Sequence, residues 1–221
     1  RWLLKKAADL TKDQSYVLYA MTQKELSHTL FPLGGLTKST VRELAEQRGL
    51  VNARKPDSQD ICFVKDGDYA KFLKDVFGLR PEPGNFVDKD GNVLGRHKGI
   101  IHYTVGQRKG LSLVFETPKY VVSKDLEANT VTLGDESELF SDHLIAEDVN
   151  LISIAALEAP MQVTAKTRYR GAESPAVISP REDGRIDVVF QTPQRAITPG
   201  QAVVFYQGDI VVGGGTISAE A

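Results

Sequence analysis

A chain of 221 residues with 41% hydrophobic and 25% charged side chains has room for one large domain or a few small ones, and can bury a core. Its formal charge of −2 excludes a general pull toward nucleic acid, so any such surface must be a local patch. No apolar run approaches the ~20 residues of a membrane span. The single cysteine, Cys62, excludes an internal disulfide and suits a reducing cytosol.

The opening "RWLLKKAADL" has too short an apolar stretch for a signal peptide and no Met, and reads as part of something longer. The first third carries helical signals. "KDQSYVLYAM" places Tyr16, Val17, Tyr19 and Ala20 roughly on one face. Thr22 and Glu25 form a capping box, predicting a helix start. "LFPLGGL" breaks the pattern, and "TKSTVRELAEQRGL" predicts a helix capped by Thr37 or Ser39, with a stripe of Val41, Leu44, Ala45 and Leu50, closed by Gly49. "ICFV" predicts a short buried strand and "DYAKFLKDVFG" a further helix.

After Gly78 the pattern becomes β. "GNFVDKDGNVLGRH" predicts a hairpin turning at Asp90-Gly91, and "KYVVSKDLEANTVTLGD" a second around Ala128-Asn129. From about Leu144 nearly everything alternates, with tight turns at Asp183-Gly184 and Gly208-Asp209. Short strands at this spacing predict a small antiparallel barrel. "GGG" at 213–215 reads as a kinked strand rather than a ligand cradle.

Few residues carry chemistry. Cys62 fits an inert apolar core thiol. It also fits a strand-end thiolate whose pKa is lowered by a cation such as Arg54 or Lys55. "GRHKGIIHYTVGQRKGL" gathers Arg96, Lys98, Arg108 and Lys109 among glycines, either as a solvated loop or as a phosphate contact, although no P-loop pattern is present. His97 and His102 have no acid or thiol at ligand spacing, and Gly99 stands where a calcium loop needs glutamate, so no metal is expected. "KTRYR" reads as one strand with Lys166, Arg168 and Arg170 on one face and Tyr169 on the other. Such a face is either solvated charge or a surface that holds RNA backbone and stacks a base.

"KDQSYVLYAMTQKELSHTLFPLGGLTKSTVRELAEQRGL", "KPDSQDICFV", "YTVGQRKGL" and "ITPGQAVVFYQGDIVVGGGTI" together resemble the tRNA-specific 2-thiouridylases (the MnmA/TrmU family), collinearly over essentially the whole chain. The resemblance implies an α+β multi-domain fragment. Residues 1–66 would be the helical remnant of an α/β nucleotide-binding, adenylating domain, 67–143 a mixed α/β central domain, and 144–221 an antiparallel tRNA-binding β-barrel. It also implies a cytoplasmic sulfurtransferase, with no membrane role, that uses ATP to adenylate the C2 oxygen of the wobble uridine. A persulfide sulfur then displaces AMP. The implied catalytic residue is Cys62, the persulfide carrier. The implied tRNA contacts are Lys12, Asp13 and Gln14 of "KDQ", Arg168 and Tyr169 of "RY", and Gln201 of "TPGQ". The partners would be tRNA and a persulfide sulfur donor protein, either a sulfur relay protein or a cysteine desulfurase.

The family's "SGGVDSS"-type pyrophosphate loop and second catalytic cysteine are not among these residues. ATP is therefore expected to be bound by a missing N-terminal domain, and the chain alone is expected not to thiolate tRNA. Two other readings compete: a stand-alone RNA-binding module with a structural cysteine, and a translation-factor-like barrel that binds protein.

Overall fold

The computed structural model describes residues 1–56, 64 and 69–220. The expected "ICFV" strand and Cys62 lie outside the described residues, apart from Val64, which is buried. The described residues divide into two compact units: 1–55 with 142–221, and 56–141.

In the first unit a 3-10 turn at Leu10–Lys12 leads into α1 (Ser15–Leu18), α2 (Gln23–Ser27) and α3 (Lys38–Gln47). The capping box read from the sequence is present. Thr22 Oγ1 accepts from the Glu25 amide at 3.3 Å, and the Glu25 carboxylate accepts from the Thr22 amide at 2.8 Å. Thr37 caps α3, and Gly49, at φ +65°, follows its end. The expected stripe is only partly covered: Val41 and Ala45 are half-buried, whereas Leu44, and Leu50 beyond the helix end, are exposed.

The six strands β5 (Phe140–Leu151), β6 (Met161–Lys166), β7 (Ser174–Pro180), β8 (Ile186–Arg195), β9 (Ala202–Gln207) and β10 (Ile210–Ile217) close into a barrel in the order β10-β5-β8-β7-β6-β9. Alternation buries every second residue. Val163 and Ala165, Ala176 and Ile178, and Ile186, Val188 and Phe190 fill the interior. The expected turns are present, with Gly184 at φ +82° and Gly208 at φ +61°.

A second apolar cluster ties the helical segment to the outside of this barrel. Leu4, Tyr16 and Leu26 pack with Ile152, Val204, Tyr206 and Val211. Main-chain bonds reinforce it: Lys5 bridges to Ile210, and the Val211 amide donates to Leu4 O at 2.9 Å. Asn150 Nδ2 donates to the carbonyls of Tyr19 and Met21.

The second unit holds α4 (Tyr69–Phe77) and the strands β1 (Gly84–Val87), β2 (Val93–His97), β3 (Tyr120–Asp125) and β4 (Thr130–Gly134), in sheet order β2-β1-β4-β3. Both expected hairpins form, and β1 pairs parallel with β4. Gly91 and Asn129 supply the positive φ their turns need, at +84° and +51°. His97 belongs to this core at 2% exposure. Its Nδ1 accepts from the Gly84 and Gly99 amides, and its Nε2 donates to Asn129 O. Gly84 is obligatory here, because a Cβ would lie 2.0 Å from Asn129 O.

Candidate nucleic-acid interface

The sequence places "KDQ" and "RY" 155 residues apart, and the fold joins them. Gln14 Nε2 donates to the Tyr169 hydroxyl at 2.5 Å. Lys12, Gln14 and Tyr169 are exposed, and Arg168 is partly buried. The strand read over "KTRYR" stops at Lys166, and the chain turns, with the Gly171 amide donating to Arg168 O at 3.0 Å. Arg168 and Tyr169 therefore sit on a turn and do not alternate across a sheet. That turn lets the Tyr169 ring reach Tyr16, centroid to centroid 6.1 Å at 61°.

Each residue has its own surroundings. Asp13 points into its own chain. Its Oδ1 accepts from the amides of Ala7 (2.9 Å) and Ser15 (3.3 Å), and its Oδ2 accepts from Ser15 Oγ (2.5 Å). This carboxylate shapes the loop that carries Lys12 and Gln14. Ser15 Oγ lies 3.3 Å from the Tyr206 hydroxyl, so the loop is anchored to β9. Beside it Lys6 bonds Glu173 at 2.7 Å and stands 4.5 Å over the Tyr206 ring.

Arg168 Nη2 donates to Ala196 O at 2.6 Å, while its buried Nε has no hydrogen-bond partner among the described residues. Gln201 is exposed in the loop entering β9, its backbone held by Thr198 and Ile217. Its neighbour Ala202 accepts the Tyr16 hydroxyl at 2.8 Å. The Lys12–Gln14, Arg168–Tyr169 and Gln201–Ala202 segments thus meet around one buried tyrosine. A cavity of about 690 Å³ opens beside Lys12–Ser15, with Leu30–Leu36 lining its other side.

Sequence reasoning missed the part Tyr16 plays. The helical periodicity puts it on an apolar face, but its partner carbonyl lies 186 residues away. Lys166, read only as one of three strand cations, stands 5.9 Å from the Tyr16 ring. Cys62 lies outside the described residues, so its surroundings enter none of this geometry.

Three family models match the chain. They are described as the tRNA methyl transferase HUP domain (residues 1–66), the tRNA methyl transferase PRC-barrel domain (70–135) and the aminomethyltransferase beta-barrel domain (141–217). Among described residues no helix is long and apolar enough to cross a membrane. A tRNA-specific 2-thiouridylase MnmA of Acetivibrio thermocellus is 58% identical over 217 residues, covering 98% of this chain and 60% of the relative. The protein of that name from Heliobacterium modesticaldum is 55% identical over 219 residues (98% and 57%), and that from Clostridioides difficile 53% over 217 (98% and 60%). The chain thus spans about 60% of the length of the curated relatives it matches. Similarity at this level along nearly the whole sequence places the chain in the tRNA-specific 2-thiouridylase (MnmA) family.

Proposed function

We propose that these residues are the tRNA-gripping and sulfur-carrying part of an enzyme that replaces the C2 oxygen of a tRNA wobble uridine with sulfur. The observation that carries the reading is the Gln14–Tyr169 contact, which makes one exposed surface from two remote segments that both match the family's tRNA contacts. Lys12, Arg168 and Gln201 would hold backbone and sugar, and Tyr169 would stack a base. Asp13 would act by fixing the loop. Extruding the target base costs a few kcal/mol, which contacts spread over both segments can supply.

ATP, bound outside these residues, would convert the uracil C2 oxygen into a leaving group by adenylation. Cys62 would present a persulfide, whose outer sulfur, a stronger and more acidic nucleophile than a thiol, would bond to C2 as AMP departs. The family's second cysteine, outside these residues, would then attack the Cys62 sulfur and break the S–S bond, leaving the new sulfur on C2 and a disulfide between the two cysteines. The sulfur would come from a persulfide donor protein in the cytoplasm. The domain limits that go with this reading are 1–66, 67–143 and 144–221. Two of the family models carry a methyl transferase label, but the identity of 53% to 58% to proteins named thiouridylases supports sulfur transfer.

The test uses the complete open reading frame with ATP, a persulfide donor and tRNA bearing a wobble uridine. Cys62→Ser should abolish 2-thiouridine formation while leaving tRNA affinity within about twofold, since a side chain that carries the sulfur contributes nothing to gripping the RNA. Thiolation at the normal rate by the serine variant would overturn the sulfur-carrying role.

A further inference from the structure

We infer that Tyr16 is a positioning residue for tRNA, holding Tyr169 and the Gln201 loop in the geometry that receives the RNA. The inference rests on the reading of Lys12–Gln14, Arg168–Tyr169 and Gln201 as the tRNA surface. Tyr16 itself is 9% exposed and too deep to be a contact, whereas Tyr169 is 43% exposed.

Tyr169 is fixed at two points, and both come from one short stretch of chain. Gln14 Nε2 holds its hydroxyl at 2.5 Å, and the Tyr16 ring meets its ring edge to face at 6.1 Å. The Tyr16 hydroxyl donates to Ala202 O at 2.8 Å, which pins the main chain directly after Gln201. Lys166 Nζ stands 5.9 Å from the Tyr16 ring centroid, so a further cation is gathered at the same place. Burial pushes the Tyr16 phenol up to about 12, so it remains a hydrogen-bond donor throughout the neutral range.

An aromatic ring already held in place loses less side-chain freedom when a base stacks on it. Releasing it costs affinity without removing any group that touches RNA. Tyr16 also packs with Leu4, Leu26 and Val204, so a plain loss of binding in one variant would not separate positioning from folding.

A double-mutant cycle makes the separation. The 221-residue chain is titrated with an in vitro transcribed tRNA bearing a wobble uridine. The proteins compared are the wild type, Tyr16→Phe, Tyr16→Leu, Tyr169→Ala and Tyr16→Leu with Tyr169→Ala. Loss of the stacking platform in Tyr169→Ala should weaken binding about tenfold or more. Tyr16→Leu should weaken it about threefold to tenfold, and Tyr16→Phe, which keeps the ring edge, should recover most of that loss. The double variant should bind clearly more tightly than the product of the two single losses, because Tyr16 acts mainly through the ring already removed and keeps only its Ala202 bond as a separate arm.

Factors that multiply, or a Tyr16→Leu protein with wild-type affinity beside a weakened Tyr169→Ala, would overturn the positioning role alone. Wild-type affinity in Tyr169→Ala would overturn the tRNA surface itself and this inference with it. Should Tyr16→Leu fail to fold, Tyr16→Met, unbranched and without an aromatic edge, carries the same comparison.

Discussion

Two tyrosines separated by 190 positions in sequence share one fate at the residue scale. Tyr16 and Tyr206 lie in the same apolar cluster, and burial pushes both phenols from 10 to about 12. A phenol is uncharged when protonated, so the fold favours the protonated form. The unfolded chain releases those protons near the ordinary value. Their contribution to stability is therefore complete below about pH 10 and is lost as pH rises through about 12. Urea unfolding at stepped alkaline pH should show stability falling from about pH 10, and the fall should be smaller in Tyr206→Phe, which has no proton to lose there. Undiminished stability up to pH 12 would show that neither ring is buried as described. Asp13 teaches a related point. A carboxylate at a proposed RNA surface faces inward, where it sets the backbone that carries Lys12 and Gln14.

At the scale of elements, β10 shows what three consecutive glycines are for. A Cβ on Gly213 would come within 2.4 Å of Asn150 O, and one on Gly215 within 2.6 Å of Glu147 O. One on Gly214 would meet both Val203 O and the Tyr19 ring at 2.6 Å. The strand bulges against both neighbours, with register shifts at Val211/Gly213 toward β9 and Gly214/Thr216 toward β5. Gly214 is the place where the helical segment closes onto the barrel, so Gly214→Ala should destabilise the first unit by about 1–3 kcal/mol in chemical unfolding. An unchanged midpoint would mean that both the Tyr19 ring and the Val203 carbonyl give way without cost.

The kinked strand, the Thr22/Glu25 capping box, the hairpin at Asp90-Gly91 and the alternating barrel strands were all legible in the sequence. Each is dictated by residues within a few positions of one another. What was not legible depends on distant partners. The stripe of Val41, Leu44, Ala45 and Leu50 has the periodicity of a buried face, yet only Val41 and Ala45 are half-buried and the two leucines are exposed. "KTRYR" has the alternation of a strand and is half turn. The apolar periodicity that names Tyr16 a core residue says nothing of Ala202 or Tyr169, which it meets across 186 and 153 positions.

At the scale of the whole molecule, the first unit is built from both ends of the chain, with residues 56–141 forming the other. A net charge of −2 gives no overall attraction for RNA, so the salt dependence of tRNA binding should report local cations alone. Arg181 and Arg185 provide the internal control. Arg181 Nη1 bonds Asp187 at 2.9 Å, and Arg185 bonds Asp183 at 2.7 Å and Glu220 at 2.5 Å, so their charge is already locally answered. Lys12→Ala with Arg168→Ala and Arg181→Ala with Arg185→Ala change the formal charge equally. Only the first pair removes proposed phosphate partners. The first should flatten the slope of log affinity against log salt by about 0.7–0.9 for each phosphate no longer neutralised, and the second should leave it unchanged. Arg168 also holds Ala196 O, so its removal can disturb the turn, but a disturbed turn lowers affinity at every salt concentration without altering the number of counterions released. Equal flattening in both pairs would mean that binding follows overall charge, and that the surface around Tyr169 is not where the RNA lies.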